Sequence, residues 1–308
     1  MNSIRQDILN TLAYFDIFHY PITNEEIRSF LCHDIQQVHI DATLQLLLAD
    51  ESVFKLGEFY ALRNEPSLAT RRCKGNLLAM KEMQHARKAA NILSRFPFVK
   101  GLAISGSLSK NFADENADVD FFIITEANRL WIARTLLQLF YKLAWLVGKR
   151  RWFCLNYYVD EQGLEIIEKN VFTAMEIVTL VPMHGGIVIE NFINANKWTA
   201  NYFPVQRPVT TEIPAIKKGV FTKLVEKIFN TKAGDQIDNW LMKLTHHRWQ
   251  KKVKLHKVNE KGVFIGMMVH RHYAKPDPAH FQNTIIERYQ RSVTQLMLRQ
   301  QEATTLVN

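Results

Sequence analysis

Cysteine is scarce in this 308-residue chain: Cys32, Cys73 and Cys154 are the only three, far apart and in no ligand-like spacing. That argues against a disulfide framework or a structural zinc site and fits a reducing, cytoplasmic setting. Uninterrupted apolar runs are also missing. The most apolar stretch, Leu130–Val147, carries Arg134, Gln138 and Lys142 in its middle, so it reads as a buried helix and not as a membrane span. The opening MNSIRQDILN lacks the apolar core of a signal peptide. No membrane partner is expected on these grounds, and no internal repeat or low-complexity tract is present.

What is there is a 47% apolar composition, enough to build about two domains with real cores. The net charge of +9 is unevenly placed. Residues 1–200 carry 21 cations against 22 acids, whereas residues 201–308 carry 18 against 8. The basic last third can attract a nucleic acid or another polyanion; solvated helix faces explain it equally well.

Residues 1–64 read as a small helical unit ending in a hairpin. Ile4, Ile8, Leu9, Leu12 and Phe15 recur at helical spacing. Thr23 with Glu26 three residues on is a capping box that starts a second helix. Leucines 44, 46, 47 and 48 mark a third, and VFKLGEFYAL forms two short strands about a turn. Three helices and a hairpin resemble a winged helix, a module that can place a helix in the DNA major groove. The third helix, however, lacks Arg and Lys and is flanked by Asp41, Asp50 and Glu51, so packing or protein docking suits it better than phosphate contact.

Residues 65–203 form the second unit: a long helix closed by Pro97, then strands at 98–104, 121–125 and 152–159, a short fourth strand at Leu164–Ile167, and helices at 127–146, 172–181 and 188–202. Three prolines within 204–214 mark a linker, and residues 204–308 read as a basic helical domain. Its densest basic run, His246–Lys257, has Trp249 interleaved, which suits either base stacking or a packed helix. His270, His272 and His280 form a loose cluster without a familiar ligand spacing.

The chemistry is concentrated in ISGSLSKNFADENADVDFFIIT. Gly106-Ser107 follows a strand; ten residues later Asp118-Val119-Asp120 opens another. On a strand, Asp118 and Asp120 share a face, and two adjacent carboxylates repel unless a cation sits between them. Mg²⁺ takes one or two carboxylates together with substrate phosphates. Gly106 allows close backbone approach to a ligand, Ser107 opens a segment whose free N–H groups favour phosphate, and Lys110 one turn on can neutralise it.

This spaced combination resembles the nucleotidyltransferase superfamily of DNA polymerase β, over about residues 98–170. The resemblance implies an α/β (α+β) core with a small mixed sheet, and transfer of a nucleoside monophosphate from an NTP such as ATP to a hydroxyl-type acceptor. It implies Mg²⁺ on Asp118 and Asp120 and the β- and γ-phosphates on Gly106 and Ser107. The acceptor (small molecule, RNA or protein) is left open. The superfamily's third carboxylate falls here on Asn156, whose amide cannot act as a base, so either Glu165 or Asp160 substitutes, with Glu165 placed in the catalytic set, or two acids suffice with some acceptors. A catalytically inactive nucleotide-binding or DNA-binding regulatory protein is the rival reading. Glu176, a lone acid among apolar residues, either pairs with Arg134 or Lys142 or faces the site.

Overall fold

A computed structural model describes residues 2–307 except 116, 147, 209, 211, 259–265 and 277–280. The chain begins with α1 (Asn2–Asp16), β1 (Ile22–Thr23), α2 (Asn24–Ser29), α3 (Gln37–Ala49), β2 (Phe54–Leu56) and β3 (Phe59–Ala61). The capping box forms as read: the Thr23 hydroxyl accepts from Glu26 N–H, and the Glu26 carboxylate accepts from Thr23 N–H. The three strands make a small antiparallel sheet in the order β1-β3-β2.

Then follow α4 (Pro66–Leu93), β4 (Val99–Ile104), a one-turn 3₁₀ helix (Leu108–Lys110), β5 (Asp120–Thr125), α5 (Leu130–Leu146), β6 (Cys154–Asp160), α6 (Val171–Val178), β7 (Val181–His184) and α7 (Gly186–Ala195). The last third holds α8 (Val220–Phe229), α9 (Lys232–Lys254), β8 (Met267–Val269), β9 (Tyr273–Pro276) and α10 (Phe281–Val307). The main sheet is mixed, in the order β7-β4-β5-β6-β9-β8, with β5 and β6 parallel and the other pairs antiparallel.

Side-chain alternation along the strands makes two apolar layers. Leu102, Ile104, Phe121 and Ile123 face α4 and α5, while Ala103, Phe122, Ile124 and Val159 face α6 and α7. A further cluster joins α1, α2 and α3 to Phe112, Ala174, Met175 and Ile285. Buried Arg72 on α4 locks this junction. Its guanidinium donates to Pro21 O (2.9 Å) and Glu26 Oε1 (2.7 Å) and lies 3.8 Å from the Tyr20 ring centroid.

Several expectations need correction. Residues 204–308 are not an all-helical domain, because β9 pairs with β6 and carries β8 into the main sheet. Leu164–Ile167 is not a strand; buried Asn196 holds it by accepting from Ile166 N–H and donating to Leu164 O. The helix expected through Val181 stops at Val178, and Val181–His184 is an edge strand, a place that tolerates Pro182. Helix α5 is buried on one face only in its second half: Ala144 is buried, whereas Leu139, Leu143, Trp145 and Leu146 are exposed.

Candidate functional site

Ser105, Gly106 and Ser107 leave the end of β4 where β5 begins, and Asp120 is the first residue of β5. Ser105 N–H donates to Asp120 O at 2.9 Å, which fixes the turn against the strand. Gly106 has φ +70°, and a Cβ on it would lie 2.6 Å from Asp120 Oδ2. Glycine is thus required twice, by the left-handed backbone and by the carboxylate beside it. The chain then makes its 3₁₀ turn and crosses α4 at Gly75. An added Cβ there would be 2.1 Å from the Phe112 ring, and Gly75 O accepts from Ala113 N–H.

A cavity of about 570 Å³ opens at this turn. Ser105, Gly106, Ser107, Lys110, Asp120 and Asn156 line its polar side, together with Glu176. Its apolar side comes from the sheet and α7 (Phe122, Tyr157, Phe192) and from α1 and the turn after it (Tyr14, Phe15, Phe18). The N-terminal unit is therefore a wall of the cavity. Its Tyr20 hydroxyl donates to the Lys110 carbonyl and so ties down the loop that carries Lys110.

Asp118 lies just before β5, not on it, so the two acids do not share a strand face in the way the sequence suggested. They still interact. Burial first, and then the nearby Asp118 and Glu176 carboxylates, push the Asp120 carboxyl up to about 6, against the opposing effects of a hydrogen bond with Cys154 and of Lys110. Lys110 Nζ donates to Glu176 Oε1 at 2.8 Å and to Gly106 O at 3.2 Å. Glu176 thus neither pairs with Arg134 or Lys142 nor sits idle; it faces the cavity.

Asn156 owes its place to a bulge. Phe121 pairs with Leu155 but Phe122 pairs with Tyr157, so Asn156 is the extra residue on β6, and it lines the cavity. Neither substitute acid is there. Glu165 is exposed and paired with Lys169 at 2.6 Å, outside the cavity lining. Asp160 is fully buried at the opposite end of β6, where it accepts from Asn128 N–H, Gln162 N–H and His272 Nδ1. That contact accounts for His272. His270 stacks on Tyr273, and His280 lies outside the described residues.

Sequence reasoning left Glu176 unresolved, and its signal was a single acid in FTAMEIVTLV. It missed the aromatic wall at the end of α1, where only Phe15 was noticed, as one of a helical row of apolar residues. It also missed a second polar cluster. Among the described residues, Asp7, Cys32 and His33 are the one set of three side chains whose donor atoms lie close enough to share a metal ion. His33 Nδ1 is 2.6 Å from Asp7 Oδ2, and the Cys32 thiol, pushed up to about 12 by burial and Asp7, donates to Asp7 Oδ1. This cluster belongs to the N-terminal unit, and Asp7 and Cys32 line a separate cavity.

The described helices include none long and apolar enough to cross a membrane. Comparison with known proteins adds one finding. No curated protein and no solved structure matches the chain. A family model for the nucleotidyltransferase domain does match, over residues 86–175. That segment holds Gly106, Ser107, Lys110, Asp118, Asp120 and Asn156, and the match supports the nucleotidyltransferase superfamily for it, and with it nucleotidyl transfer in general.

Proposed function

We propose that the cavity beside Gly106 and Asp120 transfers a nucleoside monophosphate from an NTP to an acceptor hydroxyl with the help of Mg²⁺. The observation that carries this reading is the packing of Gly106 against Asp120, which sets a left-handed glycine turn directly beside a carboxylate that lines a cavity.

The residues fit a divalent cation. Asp120, Asp118 and Glu176 concentrate negative charge where burial disfavours it, and Lys110 offsets it only in part. A bound Mg²⁺ would supply charge neutralisation to the carboxylates and the phosphates, with Asp118 and Asp120 as its protein ligands. Around it, the Gly106–Ser107 turn offers backbone N–H groups and the Ser107 hydroxyl to the terminal phosphates. Lys110 is held ready by Glu176, and an incoming phosphate competes for its ammonium. In the reaction the acceptor oxygen forms a bond to the α-phosphorus, and the bond from that phosphorus to the bridging oxygen breaks. Pyrophosphate leaves with the electron pair. The acceptor proton goes to a carboxylate, for which we assign Glu176 in place of Glu165. The aromatic wall offers stacking surface to the base or the acceptor.

A second reading, nucleotide binding without transfer, is favoured by Asn156, whose amide cannot take a proton. Calorimetric titration of ATP, GTP, CTP and UTP with Mg²⁺, beside the Asp118→Asn/Asp120→Asn variant, tests the site. Binding lost in the variant supports it; no binding of any NTP to the intact chain refutes it. Product formed only by Asn156→Asp would favour the second reading.

A further inference from the structure

Helix α8 is docked by its polar side. Thr222 Oγ1 donates to Arg95 O at 2.9 Å, and the Glu226 carboxylate accepts from Phe98 N–H at 2.7 Å and from Lys218. The opposite face is apolar and turned to solvent: Val220 is 86% exposed and Phe221 76%, with Leu224 and Ile228 continuing the stripe. A surface helix in water has the reverse arrangement.

The stripe has neighbours. Phe229, Leu136 and Leu241 share one small apolar cluster, so α8, α5 and α9 meet. Beyond that junction α5 exposes Leu139, Leu143 and Leu146 at helical spacing, with Trp145, and α9 exposes Ile237 and Trp240. Single exposed apolar residues are ordinary on a protein surface; three adjoining helices that each expose several are not.

Charge decides what covers this face. Residues 213–258 hold eleven Lys and Arg but only Glu226, Asp235 and Asp238 as acids. Each of the three is used internally: Glu226 as above, Asp235 by Arg129, and buried Asp238 by Ile132 N–H. Lys223 and Lys227 flank the stripe on α8, and Lys142 and Lys149 lie on and just after α5, all exposed. A second copy of the chain would bring these cations against their own kind. A membrane surface with anionic headgroups would complement them and accept the Phe, Leu, Ile and Trp side chains at the acyl boundary.

We propose that α8, with the adjoining parts of α5 and α9, docks the protein on a bilayer surface rich in anionic lipid, without spanning it. The test is flotation of the full chain with vesicles of phosphatidylglycerol and phosphatidylcholine, and with phosphatidylcholine alone. Wild type should float with the anionic vesicles and release as salt rises. Phe221→Ser/Leu224→Ser/Ile228→Ser should bind roughly tenfold or more weakly, with an unchanged circular-dichroism spectrum because these side chains are exposed. Lys223→Glu/Lys227→Glu should weaken binding as well. Three results would overturn the proposal: no flotation of wild type, equal flotation of the triple serine variant, or a wild-type dimer in solution that the serine variant splits.

Discussion

Replacing Asp120 by Asn should stabilise the metal-free protein at alkaline pH. The Asp120 carboxyl is raised from an ordinary 3.8 to about 6, first by burial and then by Asp118 and Glu176. A folded-state pKa above the unfolded one means that the fold prefers the protonated form. The contribution is complete below pH 4 and is lost as pH rises through about 6. A shift of roughly two units corresponds to about 3 kcal/mol, and water in the cavity reduces this to about 1–2 kcal/mol. Asn keeps the shape and removes the charge. In urea unfolding with a chelator present, Asp120→Asn should exceed wild type by about 1–2 kcal/mol at pH 8 and equal it below about pH 3.5. Asp238 is also raised to about 6 by burial, but it is common to both proteins and cancels in the difference. Mg²⁺ with ATP should then reverse the order at pH 8, because a ligand held at 100 times its Kd adds about 2.7 kcal/mol to wild type alone. Parallel stability-against-pH curves for the two proteins would refute the argument.

Further outcomes follow from the same contacts. Gly106→Ala should cost about 2–4 kcal/mol from its left-handed φ and its overlap with Asp120; combined with Asp120→Ala, the overlap part should vanish, and strict additivity in a double-mutant cycle would count against the contact. Arg72→Met should cost about 3–5 kcal/mol in urea unfolding, since it takes the cation from Glu26 and the donor from Pro21 O beneath Tyr20. Asp160→Ala should cost a similar amount, also by urea unfolding, yet leave calorimetric NTP affinity unchanged, because Asp160 anchors the far end of β6.

Local signals carried much of the fold. The capping box at Thr23, the Gly57 hairpin and the strands β4, β5 and β6 each rest on a few neighbouring residues, and each stands within two residues of its expected place. What escaped is non-local. Strand β9 depends on pairing with β6 across more than a hundred residues, with β8 following on β9, and no short stretch announces that. Glu176 becomes part of the site only because α6 closes over Lys110. Asp160 and Glu165, the two acids considered as substitutes for Asn156, are drawn away by His272 and Lys169. The exposed face of the second half of α5 was hidden for another reason: the same leucine spacing describes a helix facing a core or facing outward.

The N-terminal unit bears directly on the site, and its chemistry argues against a separate DNA-reading role. A helix that enters a groove needs cations for the phosphates around it. Helix α3 has none, and Ile40, Leu44 and Leu47 are spent on the core. Its neighbours, by contrast, touch the candidate machinery at several points. Tyr20 fixes the Lys110 carbonyl, Tyr14, Phe15 and Phe18 close one side of the cavity, and Arg72 binds the unit to α4, on whose Gly75 the 108–113 loop rests. Without this unit the loop would lose an anchor and the cavity a wall. Residues 1–64 therefore form one wall of the cavity beside Gly106 and Asp120, and they reach its polar side through the Tyr20 contact on the Lys110 loop.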